Sequence, residues 1–199
     1  MHYFEYGDKE IEHLKEKDLI LGRAMDEIGR IKRPIEPDIF SSLISSVIGQ
    51  QISNQAALTV KMRFLNLVGE ITPENIMKVK ITDIQQCGMT MRKAEYIKGI
   101  AESVIRKEID FKMFKKLPDK EVISKLTQLK GIGEWTAEML LIHSLQRPNI
   151  ISYHDLAIRR GMKKLYKMEE LPKKTFNRYK ENYHPYATIA SLYLWEMSK

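Results

Sequence analysis

The sequence predicts an all-α protein, and three observations carry that expectation. Nearly every long segment repeats its apolar residues at helical spacing. No stretch shows the strict alternation of a half-buried strand. Proline and glycine punctuate the chain at intervals that leave short connections. A chain of 199 residues suffices for one sizeable domain or two closely packed lobes. With 43% hydrophobic and 30% charged residues, it has the composition of a folded globular protein and not of a disordered tail.

Residues 9–29 read as helical, with Asp8 as a cap. RPIEPD (33–38) interrupts with two prolines and is read as the crossing between lobes. FSSLISSVIGQQIS (40–53) reads as a buried helix and its exit, and the next helix spans 54–68. Thr72-Pro73 fits a helix start, with proline in the first turn. In TMRKAEYIKGIAESVIRKE (90–108), Ala94, Ile97, Ala101 and Val104 form one apolar stripe, and Thr90 can cap it. A helix over 119–129 leads into Gly131-Ile132-Gly133, and another follows over 134–146. Helices over 155–167, 172–182 and 186–198 complete the chain, with no exact repeat and no low-complexity tail.

Thirty-three basic residues against 26 acidic ones give a net charge of +7. Such a surplus suits an acidic partner, most obviously nucleic acid, although an ordinary solvated surface can carry it too. The opening MHYFEYGDKEIEHLK is too polar for a signal peptide, and no apolar run approaches a membrane span. The single cysteine, Cys87, excludes an internal disulfide and an iron–sulfur cluster held by four cysteines of this chain. It is read as buried and structural, in a cytosolic protein.

The informative stretch is LTQLKGIGEWTAEMLLIHSL (126–145). Gly131 and Gly133 pinch two helices together, where a side chain would obstruct a close approach. The start of the second helix, from Gly133 and Glu134 onward, offers backbone N–H groups and the positive end of a dipole to an anion such as phosphate. Lys130 can add a charge. Glycines at this spacing also occur in a turn that merely packs two helices. A Rossmann fingerprint is excluded because no strand precedes them. Trp135 follows the pinch, and Asp155 follows Trp135 by twenty positions. The connector RPNIISYH can return the chain across the mouth of the helix. Asp155 can then cap the helix DLAIRRGMKKLY, or place its carboxylate in one pocket with the indole.

LKGIGEWTAEMLL followed by SYHDLAIRRGM resembles the helix–hairpin–helix DNA glycosylase superfamily, and within it the 3-methyladenine DNA glycosylase II group. SSVIGQQISNQAA (46–57), CGMTMRKAEYIKGIA (87–101) and NYHPYATIASLYLW (182–195) extend the likeness over about residues 38–198. The resemblance implies a two-lobed helix–hairpin–helix fold without a cysteine-ligated iron–sulfur cluster. It places an N-terminal segment (1–37) completing one lobe, a lobe ending in the hairpin (38–146), and C-terminal helices carrying the catalytic aspartate (147–199).

Asp155 matches the essential aspartate of the family, which often has two consecutive acids here; this chain has Tyr153-His154-Asp155. Related enzymes that also cut the DNA backbone carry a lysine nucleophile where this chain has Trp135. Tryptophan cannot form a Schiff base, so the resemblance implies base removal alone. It assigns Trp135, Trp195, Tyr153 and His154 to the base pocket. Gln51, with Gln50 as the other register, becomes the wedge inserted into the duplex. Lys130, Gly131, Gly133 and Glu134 become the phosphate grip, and the basic runs Arg92-Lys93, Arg159-Arg160 and Lys163-Lys164 either widen it or are solvated surface. No cofactor is required, although the backbone of Gly131 and Gly133 is compatible with a monovalent cation known in the family. The implied partner is double-stranded DNA with a damaged base, met by a monomer in the cytoplasm in association with DNA. The implied reaction is hydrolysis of the N-glycosidic bond of alkylated purines such as 3-methyladenine. A glycosylase for oxidised, deaminated or mismatched bases, and a noncatalytic DNA-binding module, are the competing readings.

Overall fold

The computed structural model describes residues 2–199 and bears out the all-α expectation. Its elements are β1 (His2–Tyr3), α1 (Asp8–Lys17), α2 (Leu19–Ile28), β2 (Pro34–Ile35), α3 (Ile39–Gly49) and α4 (Asn54–Val68). There follow α5 (Pro73–Lys78), α6 (Ile81–Gln86), α7 (Met91–Ile105), α8 (Asp119–Leu126), α9 (Glu134–His143), α10 (Leu156–Leu165), α11 (Lys173–Asn182) and α12 (Ala187–Met197). A 3-10 turn spans Phe111–Lys116. The chain divides into one unit of residues 1–35 with 141–199 and another of residues 36–140. The division falls inside α9, ahead of the boundary expected at 147.

The first unit is built around α12, buried from Ala187 to Leu194. Leu14, Leu21, Met25, Ile158, Met162 and Phe176 join it in one apolar cluster. Gly161 lets α10 press on α12: a Cβ there would lie 2.0 Å from the Leu194 carbonyl oxygen. The helix expected over 9–29 is broken at Asp18, whose Oδ1 accepts from the backbone N–H groups of Ile20 and Leu21. Aspartate is a stronger N-cap than a mid-helix residue, so a new helix starts there. Its other oxygen accepts from the Tyr166 hydroxyl at 2.6 Å. The two-residue strands β1 and β2 pair antiparallel, His2 opposite Ile35 and Tyr3 opposite Pro34, and are too short for a sequence pattern to show.

Connector 147–151 is pinned to the start of α12 by buried hydroxyls. Thr188 Oγ1 donates to the Arg147 carbonyl at 2.6 Å and accepts from Ile150 N–H at 2.8 Å. Ser191 Oγ lies 3.1 Å from the Ile150 carbonyl. These bonds satisfy backbone groups that burial would otherwise orphan. They also fix the chain that delivers Asp155.

In the second unit α3 buries Leu43, Ile44, Val47 and Ile48, and α4 buries Val60 and Phe64. Ser53 caps α4, Thr72 caps α5 ahead of Pro73, and Thr90 caps α7. The buried face of α7 is Ala94, Ile97, Ile100 and Ala101; Val104, expected on that stripe, is only half-buried. Cys87 is buried, and burial pushes its thiol pKa up.

Candidate active site and nucleic-acid interface

The glycines of the hairpin have different reasons to be glycine. Gly131 has a φ of +87°, in the left-handed region, and a Cβ there would lie 2.2 Å from Cδ2 of Tyr96. Gly133 has no positive φ, and nothing stands within 4 Å of where its Cβ would be. The surrounding protein therefore demands glycine at 131 and makes no such demand at 133. Lys130 is exposed, as are Gly133 and Glu134 at the start of α9.

The exit of α3 lies against the same loop. Gln50 Nε2 donates to the Gly131 carbonyl at 2.9 Å. Gln51 follows at a φ of +57°, an uncommon conformation for a residue with a side chain, and is exposed. The two glutamines are thus separated: one ties α3 to the hairpin, the other projects. Lys93 of α7 reaches back, its Nζ donating to the carbonyls of Ile48 at 2.9 Å and Gln50 at 2.5 Å. Burial pushes the Lys93 pKa down. Lys93 thus caps the end of a helix, where the sequence reading had it among the surface cations. The helical spacing held a clue, since Lys93 shares a face with Tyr96 and Ile97. A cavity of about 700 Å³ opens beside this loop, lined by Gln51, Ile52, Asn54, Gly133, Trp135 and Met139. Trp135 is 43% exposed, high for so large an apolar side chain.

In the other unit Asp155 is only 7% exposed. Its Oδ1 accepts from the backbone N–H groups of Ala157 and Ile158, both at 2.9 Å, so it caps α10. Trp195 stacks on His143, with ring centroids 5.6 Å apart, and the Arg33 guanidinium lies 5.1 Å from the Trp195 ring. The His143 pKa is pushed down to about 4, first by burial and then by Arg33, against the opposing pull of Asp155. Neither Arg33 nor His143 is singled out by a sequence motif. Tyr153 turns its hydroxyl to the Leu171 carbonyl at 3.4 Å and its ring to Phe176, with the Arg159 guanidinium 4.9 Å from the ring. Tyr153, expected in the base pocket, is half-buried with these contacts, and His154 beside it is exposed.

Among the described residues no three His, Cys, Asp or Glu side chains are grouped as metal ligands. Of the two carbonyls that the resemblance offers to a monovalent cation, Gly131 O accepts from Gln50 and Gly133 O accepts from the Ala137 N–H. Each donor occupies one lone pair of its carbonyl and leaves the second open. No described helix is long and apolar enough to cross a membrane.

Helical fold, glycine hairpin and capped aspartate define a class: this chain belongs to the HhH-GPD superfamily of base excision DNA repair proteins, whose family model matches residues 44–185. Within it, the chain is 38% identical over 165 residues to DNA-3-methyladenine glycosylase 1 of Schizosaccharomyces pombe, covering 80% of this chain and 72% of that protein. The crystal structure of a DNA-3-methyladenine glycosidase from Bacillus halodurans superposes with a TM-score of 0.90 at 36% identity, covering 100% of this chain and 93% of the other. A Schizosaccharomyces pombe 3-methyladenine DNA glycosylase in complex with abasic DNA gives a TM-score of 0.84 at 35% identity, covering 94% and 95% of the two chains.

Proposed function

We propose that this protein is a monofunctional DNA glycosylase that hydrolyses the N-glycosidic bond of alkylated purines, 3-methyladenine among them, as the first step of base excision repair. It acts as a monomer on double-stranded DNA, in the cytoplasm. The observation that carries the reading is the buried Asp155 carboxylate, fixed by two N–H bonds of its own helix. A carboxylate held in that way is preorganised toward developing positive charge.

The damaged nucleotide leaves the duplex at a cost of a few kcal/mol in lost stacking and pairing. Gln51 enters the gap, and backbone N–H groups at Gly133 and the start of α9 hold a phosphate. The C1′–N bond then breaks, its electron pair leaving with the base. Positive charge grows on the sugar, as in other glycosyl transfers. Asp155 stabilises that charge. At about 4 Å and an effective dielectric near 20, unit opposite charges attract by roughly 4 kcal/mol, about a thousandfold in rate. Water adds at C1′ and loses a proton, leaving an abasic site and the free base. Alkylation at purine N3 or N7 makes the base cationic, and the exposed face of Trp135 attracts a cation. With an indole in place of an amine at 135, no Schiff base forms and the backbone is not cut. Trp195, held by His143 and Arg33, is the second aromatic of this reading, and the exposed His154 is assigned to the pocket rim.

Asp155→Asn tests this, because asparagine keeps an oxygen to cap α10 while removing the charge. Single-turnover release of 3-methyladenine from a defined duplex is expected to fall about a thousandfold, with the melting temperature and duplex affinity nearly unchanged. Unchanged release sinks the role of Asp155. Exclusive release of an oxidised, deaminated or mismatched base across a lesion panel sinks the substrate class, and no base release from the parent leaves a DNA-binding module.

A further inference from the structure

The wedge loop presents a problem that the reaction scheme leaves open. Gln51 must keep its side chain projecting while its backbone stays left-handed, a conformation that is strained outside glycine. It stands past the C-terminal end of α3, where helix carbonyls lack partners within the helix. Something has to hold those carbonyls in one place before DNA arrives.

We propose that Lys93 is the positioning residue of the wedge: its ammonium, bonded to the carbonyls of Ile48 and Gln50, locks the exit of α3 so that Gln51 is presented ready to enter the duplex. This rests on the wedge role of Gln51 proposed above. Three further contacts place Lys93 in a buttress. Gln50, whose carbonyl Lys93 holds, reaches with its side chain to the hairpin at Gly131. Gly131 sits against the Tyr96 ring, one helical turn from Lys93 on α7. The Tyr96 hydroxyl accepts from Arg92 Nε at 2.5 Å. The first turns of α7 therefore join the wedge loop to the phosphate loop. A charged donor shared by two carbonyls makes the joint stronger than a neutral bond would. Lys93 acts through Gln51 and touches neither base nor sugar in this scheme.

The competing role for a lysine in a DNA-binding protein is a phosphate contact, and the two roles part experimentally. The probe is a duplex with 2-aminopurine beside a tetrahydrofuran abasic site, whose fluorescence rises when the wedge unstacks the neighbouring base. Lys93→Met is expected to reduce that rise, and single-turnover release of 3-methyladenine, on the order of tenfold, the worth of a charged hydrogen bond. Affinity for undamaged duplex and its salt dependence stay as in the parent. Lys93→Arg, which can still reach the carbonyls, restores most of the signal. In a Gln51→Ala background Lys93→Met adds nothing further. If Lys93→Met does not fold, as thermal unfolding reports, Lys93→Gln carries the same test. Weaker binding to undamaged duplex, with the salt slope reduced by about one, makes Lys93 a phosphate contact and overturns the proposal. So does a full Lys93 effect in the Gln51→Ala background. A silent Lys93→Met beside a responsive Gln51→Ala overturns this proposal alone, whereas a silent Gln51→Ala defeats the wedge reading and this proposal with it.

Discussion

Alanine at 131 and alanine at 133 should do opposite things. At 131 the new methyl meets two obstacles. The backbone sits at a φ of +87°, costing alanine about 1–2 kcal/mol relative to glycine. The Cβ would also lie 2.2 Å from Cδ2 and 2.6 Å from Cε2 of Tyr96, so the ring or the loop must shift. Overpacking of that kind costs about 1–3 kcal/mol. Together they predict a loss of roughly 2–5 kcal/mol, or on the order of 10 °C in melting temperature for a chain of this size. At 133 the methyl points into open space from a backbone with ordinary φ, and stability should stay within about 0.5 kcal/mol of the parent. If the hairpin is the proposed phosphate grip, the methyl blocks the approach of a phosphate to the start of α9. Affinity for duplex DNA should fall roughly ten- to a hundredfold, the range of a hydrogen bond to a charged group. Thermal unfolding followed by circular dichroism and DNA titration by fluorescence anisotropy measure the two effects. Undiminished DNA binding by Gly133→Ala refutes the hairpin as the grip. An unchanged melting temperature for Gly131→Ala refutes the steric account of Tyr96.

Two further perturbations are sharp. Gly161→Ala puts a methyl 2.0 Å from the Leu194 carbonyl oxygen, a backbone atom that cannot swing aside, and should cost about 3 kcal/mol, the upper end for overpacking, in thermal unfolding. An alanine there with parental stability would show that α10 and α12 do not meet that closely. His143 titrates near 4 in the fold against an ordinary 6.5, so the unfolded chain binds the extra proton between those values. Stability present above pH 6.5 should therefore be lost as pH falls toward 4, by on the order of 3 kcal/mol. Denaturant unfolding of the parent and of His143→Gln across that window checks it, and equal acid slopes in the two refute the assignment.

Helix positions were legible because burial leaves a periodic trace: α4 begins and ends where the apolar spacing puts it, and Thr72 and Thr90 cap the helices their positions announce. The break at Asp18 was lost because an aspartate inside a continuous apolar period is locally compatible with one long helix. The bond from Tyr166, far along the chain, backs the cap there. The family was legible for a different reason. The hairpin glycines and the Trp135–Asp155 spacing lie close together in sequence. Lys93, Arg33 and His143 carry no local signature, since each takes its meaning from a partner that folding brings near. A charge read as surface, as at Lys93, is the characteristic error: sequence shows the ammonium but not the two helix-end carbonyls that claim it.

The competing readings of Asp155 also turn out to be compatible. A cap explains why an acid stands at the start of α10; it does not exhaust what that acid can do. A carboxylate on a flexible stem would have to be ordered, and its hydration rearranged, as the sugar charge develops. At 155 the ordering is already done by Ala157 and Ile158 N–H groups, and the connector behind it is tied down by Thr188 and Ser191. Electrostatic stabilisation is largest when the stabilising group does not reorganise during the reaction. The structural role is thus what would make the proposed chemical role effective. That is why Asp155→Asn, which keeps the cap and removes the charge, separates them where Asp155→Ala would confuse them.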